Sequence, residues 1–336
     1  MAPKKGIGLA RVAEAAGVTV ATVSNAINRP HLVAESTRAR IEDAMRQLDF
    51  VPNRAAATLR IGSNRLIGLV VPESLNPFYA AITEAISVAA AETRYLLALC
   101  VTGDDPEVEL RHFEMLAEHR AAGAIVVPLG ATAERLVQLR MVGTHLVLID
   151  RSVDEHDGCS VVMDDVSGGR MAAEHLLTTA PGHGITLVNG PSSIPQCRDR
   201  RLGTEQAARA RAEPVTEIVT DHMTIEDGVA AGRRIARTGS PRRIFCTNDQ
   251  LALGVIRGLR EEGWDVPRDA RVVGYGDLTI ATSGDIEITS VAQPKAEMGR
   301  AALSRVLDEI GDSASHRHST TVFAPSLVIR RSAPAA

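Results

Sequence analysis

The sequence has very little lysine and none of the common motifs of enzyme active sites. Only three lysines occur, so 34 of the 37 basic residues are arginine, and chemistry that needs an activated lysine has almost no candidates. No phosphate-binding, dinucleotide-binding, zinc-protease or hydrolase motif is present. The adjacent acids Asp104-Asp105 and Asp164-Asp165 would point in different directions from a strand or helix, so they form no acid–base pair. We therefore expect no enzyme.

Cysteine is scarce as well, and the spacing of the cysteines does not match a metal-binding motif. The four cysteines lie far apart without a C-x-x-C pair, which argues against a disulfide framework or a structural zinc site. His316 and His318 lie in a polar stretch that we interpret as a surface loop rather than a metal site. The sequence thus predicts neither a metal nor a cofactor.

Long hydrophobic runs are also missing. The longest, at 66–71 and 123–127, have the length of strands and fall far short of the roughly 20 residues that span a bilayer. The charged amino terminus is not followed by the apolar segment of about 7–15 residues that a secretory signal requires. We expect a cytoplasmic protein, and a chain of 336 residues predicts two or three domains.

Charge is distributed unevenly along the chain. Residues 1–65 contain ten basic and five acidic side chains, a net charge of +5, whereas the remainder carries −9. A basic amino-terminal segment on an acidic body suggests a module that faces nucleic acid.

Apolar spacing within that basic segment predicts three short helices. Apolar residues at positions 9, 12, 13 and 16 give one helix face, which Gly8 can begin and Gly17 can end. Thr19 can cap a second helix, and a third is predicted from Arg38 to Leu48. Two short helices joined by a tight turn, with a third completing the core, are typical of a helix-turn-helix.

The outward positions of the second helix suit a major groove. Val20 and Ala21 are small and could contact a thymine methyl, and Asn25 could pair with adenine. Thr19, Ser24 and Asn28 carry donors that suit phosphate oxygens. A plain three-helix core with incidental polar residues is the alternative, and this pattern alone does not separate the two.

Three stretches resemble one known family: LARVAEAAGVTVATVSNAIN at 9–28, VAESTR at 33–38 and LDFVPNR at 48–54. They are similar to the headpiece of the lactose/galactose repressor (LacI/GalR) family of bacterial transcription regulators, and a looser similarity continues to the carboxyl terminus. The resemblance implies base reading by Val20, Ala21 and Asn25. It assigns phosphate contacts to Thr19, Ser24, Asn28 and Thr37. Gly8 departs from the family, whose members usually have a threonine cap there.

Residues 51–62 are predicted to form a hinge. Positions 52–60 read as a helix that begins at Pro52, but nine residues are too few for a helix that is stable in isolation. The resemblance implies that this segment folds when two chains meet on DNA, with Leu59 wedged into a minor-groove base step and Ala56 allowing close approach. A simple linker is the alternative.

From residue 63 onward, strand-like apolar runs alternate with stretches of helix length. This alternation predicts parallel sheets with helices on both faces. The predicted strands are 66–71, 95–101, 123–127, 145–149, 160–163, 185–188, 215–220, 243–246, 271–274, 288–291 and 321–328.

The predicted fold is therefore an all-α helix-turn-helix headpiece (1–50) and an α/β body (63–336) like a periplasmic binding protein. The body has two parallel-sheet lobes and mediates dimerisation. One lobe comprises about 63–161 and 292–321, and the other about 162–291 and 322–336.

Polar and aromatic side chains follow many of these strands, where ligands of open α/β sheets bind. Solvated loops and helix caps are the alternative, above all for Asp164 and Asn248. The candidate effector-binding residues are Phe78, Tyr79, Asp150, Arg151, Asp164, Gln196, Arg200, Asn248 and Asp277.

The resemblance supports five of these residues as ligand-facing: Phe78, Tyr79, Asp164, Arg200 and Asp277. Two departures argue against an ordinary hexose. The stretch 274–277 reads GYGD and lacks the first acid of the family's usual G-Y/F-D-D/N, and Met223 stands where relatives often have an aromatic ring.

Together these features predict a sequence-specific DNA-binding transcriptional regulator, interpreted as a repressor. It would bind a pseudo-palindromic operator as a homodimer under the control of a small ligand, a sugar or a derivative. One alternative is a nucleobase or nucleoside as the ligand. A more remote one is a cytosolic small-molecule binding protein without a DNA function.

Overall fold

The computed structural model describes residues 8–50, 64–129, 136, 139–151 and 158–335, the side chain of Asn28 excepted, and the chain divides into units 1–64 and 65–336. The first unit is helical. Its helices are α1 (Leu9–Ala16), α2 (Val20–Asn28) and α3 (Glu35–Gln47), with a short 3-10 turn at Pro30–Leu32.

The first two predicted helices are confirmed, including their ends. Gly17 adopts a left-handed conformation at φ 65° and ends α1, and the Thr19 side chain accepts a hydrogen bond from the Thr22 N–H at the start of α2. Helix α3 begins at Glu35, earlier than predicted. Its first turn has no apolar residue that periodicity could detect, and Glu35 suits the positive end of the helix dipole. Val12, Val23 and Ile41 are fully buried between the helices.

The second unit is built on two six-stranded sheets, in the orders β11-β5-β4-β3-β1-β2 and β12-β10-β9-β8-β6-β7. The strands are β1 (Asn64–Val71), β2 (Leu96–Val101), β3 (Ala121–Val126), β4 (His145–Ile149), β5 (Cys159–Met163), β6 (Ile185–Asn189), β7 (Val215–Val219), β8 (Arg243–Cys246), β9 (Arg271–Gly276), β10 (Thr289–Ala292), β11 (Thr320–Phe323) and β12 (Ser326–Val328).

Helices pack on these sheets, and the described strand pairings are parallel except for that of β10 with β12. The helices are α4 (Pro77–Glu92), α5 (Pro106–Glu118), α6 (Asp165–Thr179), α7 (Pro195–Arg209), α8 (Ile225–Thr238), α9 (Asp249–Glu261) and α10 (Lys295–Gly311), with a 3-10 turn at Thr279–Thr282. Strands β3 and β6 are buried along their whole length, as strands covered on both faces should be. The predicted fold class is confirmed.

One predicted strand was wrong. The stretch 321–328 was predicted as a single strand, but it forms β11 in one sheet and β12 in the other. Ala324 and Pro325 separate them, and a proline has no N–H to donate to a sheet. In the described residues the chain therefore passes between the sheets after β5, after β10 and after β11.

Close packing of α6 on α7 fixes the backbone position of Arg200, one of the candidate effector-binding residues. A Cβ atom at Gly169 would lie 2.0 Å from the Arg200 carbonyl oxygen, and one at Gly203 would lie 1.9 Å from that of Val166. Only glycine leaves room for this approach, so the two helices hold the Arg200 backbone against the start of α6.

Candidate nucleic-acid interface and ligand cleft

Helix α2 presents a face of small side chains to solvent. Val20 is 46% exposed although it is apolar, Ala21 and Asn25 are also exposed, and Ser24 is half-buried. These four residues share one side of the helix because they are spaced by one and four positions. The face offers methyl groups and one carboxamide, which are the groups that contact thymine and adenine edges in a major groove.

The remaining predicted DNA contacts are only partly described. The Thr19 hydroxyl lies 2.8 Å from that of Thr22 and belongs to the helix cap. Thr37 is half-buried in the first turn of α3. The Asn28 side chain, Ala56 and Leu59 lie outside the described residues.

In the second unit, a hydrogen bond joins the two lobes at the carboxyl ends of their strands. The Gln196 side-chain amide donates to the Asp150 carbonyl oxygen at 2.7 Å. Asp150 follows β4 in the left-handed region at φ 67°, a conformation that non-glycine residues adopt rarely and often at functional sites. Two predicted effector residues thus meet across the cleft, which we define as the space between the carboxyl ends of the two sheets.

The electrostatics of Asp150 set it apart from an ordinary surface acid. Burial raises its pKa to about 7, with a further increase from Asp165, while the positive charges of Arg200 and Arg151 act in the opposite direction. Near neutral pH the carboxyl group can therefore accept a hydrogen bond from a ligand hydroxyl when ionised, or donate one to a hydroxyl or ring nitrogen when protonated.

The raised pKa of Asp150 predicts a pH-dependent stability. The folded state binds its proton more tightly than the unfolded state does, so the free energy of unfolding should fall as the pH rises from about 4 to about 7. Asp150→Asn, which mimics the protonated form, should remove this loss. The variant should match the native chain near pH 4 and exceed it by about 2–4 kcal/mol near pH 8.

Urea unfolding at several pH values checks this prediction. Asp104→Asn is the matched control, because Asp104 is exposed and also has a left-handed backbone, at φ 60°. The control should show the same pH dependence as the native chain. A constant difference between Asp150→Asn and the native chain across this range would contradict the prediction.

Arg200 lies at the centre of a buried network. Its Nε donates to Asp165 Oδ1 at 2.8 Å and its Nη1 donates to the Thr247 carbonyl oxygen at 2.7 Å. The guanidinium lies 3.8 Å from the ring centroid of Tyr275, whose hydroxyl donates to the same Asp165 oxygen at 2.7 Å. Arg200 is therefore fixed in orientation before any ligand binds.

Two aromatic side chains come from the opposite lobe. Phe78 and Tyr79 pack edge to face, with ring centroids 5.3 Å apart, in the first turn of α4. Burial raises the pKa of Tyr79 well above its ordinary value, and the negative charge of Asp150 adds to this while Arg200 opposes it. The Tyr79 hydroxyl thus stays protonated, and its pKa is influenced by the charges of two other candidate residues, Asp150 and Arg200.

Several predicted residues are engaged in local structure. Asp164 accepts from the Ser167 N–H and caps α6, and Asn248 accepts from the Leu251 N–H and caps α9. The Asp277 carboxylate pairs with Arg330 at 2.6 Å. Arg151 donates to the Leu129 carbonyl oxygen at 3.5 Å. Whether these side chains also contact a ligand stays a prediction.

Sequence reasoning missed the partners that hold the site together. Asp165, rather than its neighbour Asp164, pairs with Arg200, and the guanidinium packs on the ring of Tyr275. Asp249 is buried and accepts from the Leu278 N–H and the Ser290 hydroxyl, which fixes the end of β9 beside Asp277. The available signal was that Asp165 and Asp249 follow predicted strands within three residues, next to the candidate residues Asp164 and Asn248.

Comparisons with known proteins cover both units. A family model described as periplasmic binding proteins and sugar binding domain of the LacI family matches residues 64–330. A second, described as bacterial regulatory proteins of the lacI family, matches residues 9–53. The HTH-type transcriptional repressor PurR of Haemophilus influenzae (strain PittEE) is 32% identical over 331 residues, or 96% of this chain and 97% of that protein.

Two solved structures are similar over almost the whole chain. The Lac repressor dimer bound to operator and the anti-inducer ONPF has a TM-score of 0.84 and 25% identity, covering 98% of this chain and 100% of that one. The transcriptional regulator CelR in complex with cellobiose has a TM-score of 0.70 and 29% identity, covering 97% and 99%. Among the described residues, no helix has both the length and the apolar character needed to cross a membrane.

Proposed function

The chain belongs to the LacI family of bacterial transcriptional regulators, and on that basis we propose how its own residues bind an operator and respond to a ligand. It is a DNA-binding repressor controlled by a small molecule in its body. The observation that carries this function is the exposed small-residue face of α2 on a helix-turn-helix core. We assign it no enzymatic step and place its action in the bacterial cytoplasm, where operator DNA lies.

We propose that the chain consists of a headpiece (1–50), a hinge (51–62) and a body (63–336). Val20, Ala21 and Asn25 read base edges, and Thr19, Ser24, Asn28 and Thr37 contact phosphates. Two headpieces enter successive major grooves, so the operator is pseudo-palindromic.

An apolar patch at the edge of the first sheet supports self-association. Strand β2 is at that edge, and Leu96, Leu99 and Val101 on it are 68%, 45% and 37% exposed. Val88 on the neighbouring α4 is 59% exposed. Leu99 and Val101 are two positions apart and share one face of the strand, whereas Leu96 lies on the other, and exposed apolar residues on an edge strand mark an interaction surface. We propose that this face pairs with a second copy of the chain.

The proposed ligand site is the cleft between the lobes. Phe78 and Tyr79 supply ring faces, and Asp150, Gln196 and Arg200 supply polar groups that are already oriented. This combination suits a polyhydroxylated ligand such as a sugar, and CelR was solved with cellobiose. A nucleobase or nucleoside stacked on the aromatic pair is the second candidate, because Met223 and the altered 274–277 stretch weaken the case for an ordinary hexose.

Ligand binding is proposed to act through the bond between the lobes. A ligand that engages Asp150 and Gln196 replaces or reinforces their hydrogen bond and so changes the angle between the lobes. The hinges then become ordered or disordered, with a coupling of about 1–3 kcal/mol. Either sign requires only that the ligand bind one state more tightly than the other.

The hinge assignment predicts a selective effect of Leu59→Ala. Removing the wedge leaves the minor-groove base step stacked, so specific operator affinity should fall about 10–100-fold. Ligand affinity of the body should not change. Fluorescence anisotropy with operator DNA and calorimetry with ligand measure the two quantities, and unchanged operator binding would refute the wedge.

Selection of duplexes from a random DNA pool tests the proposed function at physiological salt. We expect enrichment of an inverted repeat of about 14–20 base pairs with a pyrimidine–purine step at its centre. If nothing is enriched, the selection is repeated with metabolite mixtures, because a co-repressor can be required. Only salt-sensitive, non-specific binding under both conditions would refute the assignment.

A further inference from the structure

A cysteine and two histidines converge at the end of the first sheet that is opposite to the cleft. Cys159 is buried and is the first residue of β5, whereas His316 and His318 lie between α10 and β11. The Cys159 Sγ atom is 3.2 Å from His316 Nε2 and 3.8 Å from His318 Nδ1. The three atoms all lie within 4.8 Å of one another. Neither the DNA interface nor the ligand cleft uses these side chains.

The two sulfur–nitrogen distances are close to those of a tetrahedral metal site. With zinc–sulfur bonds of about 2.3 Å and zinc–nitrogen bonds of about 2.0–2.1 Å, adjacent sulfur and nitrogen ligands lie roughly 3.5 Å apart. Both sulfur–nitrogen distances of the cluster agree with this value to a few tenths of an ångström. The imidazole rings meet edge to face, with centroids 5.2 Å apart, so they converge on the sulfur instead of stacking.

A buried carboxylate adds negative charge beside the cluster. Glu309 on α10 pairs through Oε1 with His145 Nδ1 at 3.2 Å. Its Oε2 is buried and has no hydrogen-bond partner among the described residues. Burial acts to raise the pKa of Glu309, but the hydrogen bond with His145 outweighs it and the pKa is lowered overall, so the group is ionised at neutral pH. An ionised, half-satisfied carboxylate favours a cation nearby.

Arg140 is a positively charged group close to the cluster: its guanidinium lies beside Gly158, the residue before Cys159. Its Nε atom is buried and has no hydrogen-bond partner among the described residues. A ligating Cys159 is deprotonated, so its thiolate would place a negative charge near this guanidinium.

We propose that Cys159, His316 and His318 form a zinc site, with the thiolate and two imidazole nitrogens as ligands and a fourth position for water. Thiolate and imidazole together select a borderline-soft ion and disfavour magnesium and calcium, which prefer oxygen. Zinc would join the segment after α10 to the first residue of β5. The site is separate from the cleft, so its test does not depend on operator or ligand.

Cobalt titration of the full chain, purified without a histidine tag and stripped with a chelator, tests the site. We expect one cobalt ion per chain, an ultraviolet thiolate-to-cobalt charge-transfer band and the intense visible bands of tetrahedral cobalt. Zinc should displace the cobalt. A zinc concentration about 100 times its Kd should raise the melting temperature by about 5 °C.

Single substitutions identify the ligands. Cys159→Ser should abolish the charge-transfer band, and His316→Gln or His318→Gln should each weaken zinc binding by more than the 10–100-fold typical of outer-shell changes. Cys100→Ser and His183→Gln are controls, because Cys100 is a half-buried cysteine on β2 and His183 is an exposed imidazole in the other lobe.

Circular dichroism shows whether each variant folds. If Cys159→Ser does not fold, the zinc affinities of the two histidine variants test the site instead. Absence of the charge-transfer band in the native chain would overturn the proposal. Ligand variants that bind zinc as tightly as the controls do would also overturn it, and the cluster would then be a hydrogen-bonded thiol–imidazole group.

Discussion

Arg200→Ala is expected to lower the free energy of unfolding of the body by about 3–5 kcal/mol and to abolish the response to ligand. The loss of stability follows because Asp165, with a side chain only 5% exposed, would keep a buried charge without its partner. The loss of response follows if Arg200 is the polar anchor of the cleft. Urea unfolding and operator binding with and without ligand measure the two effects.

Two further variants separate stability from recognition. Arg198→Ala removes an exposed arginine from the same helix and should change stability by no more than about 0.5 kcal/mol. Arg200→Met combined with Asp165→Asn removes both charges and keeps an acceptor for the Tyr275 hydroxyl. This double variant should regain most of the stability while remaining unresponsive. A restored ligand response would exclude Arg200 from the site.

Asn25→Ala should weaken specific operator binding by about 2–6 kcal/mol. A bidentate contact between a carboxamide and adenine contributes about 1–3 kcal/mol, and a dimer makes it in both half-sites. Discrimination at one symmetric pair of positions should disappear, whereas non-specific binding and its salt dependence should remain, because Asn25 carries no charge. Affinity measured against operators with every base at those positions checks both parts.

Gln47→Ala is the control for Asn25→Ala. It removes the same carboxamide group from an exposed position at the end of α3 and should leave operator affinity within about a factor of two. If Asn25→Ala weakens binding to all sequences equally, Asn25 contacts the backbone and the base-reading assignment is wrong.

Elements that depend on local sequence could be predicted from this chain. Gly17 and Thr19 define the turn between α1 and α2 through backbone preference and side-chain capping, which operate over a few residues. The buried strands were visible as apolar runs because both faces of each sheet are covered. The break in the late strand also has a local cause, because Pro325 has no N–H to donate to a sheet and lies between β11 and β12.

Contacts between distant residues could not be predicted in the same way. Arg200 could be named as a candidate from the sequence, but Asp165 and Tyr275, which orient its side chain, are 35 and 75 positions away. Cys159 and His316 are separated by 157 positions and were interpreted independently, as a scattered thiol and a loop histidine. Only the pairing of β5 with β11 brings their segments together.

The three passages of the chain between the two sheets have a mechanical consequence. A body attached at one point can swivel freely, and one attached at two points can turn about a line, but three attachments must all bend together. Asp164, Gln293-Pro294 and Ala324-Pro325 are these attachments, and proline restricts φ in two of them. Any rotation of one lobe against the other therefore requires all three segments to change their backbone angles together.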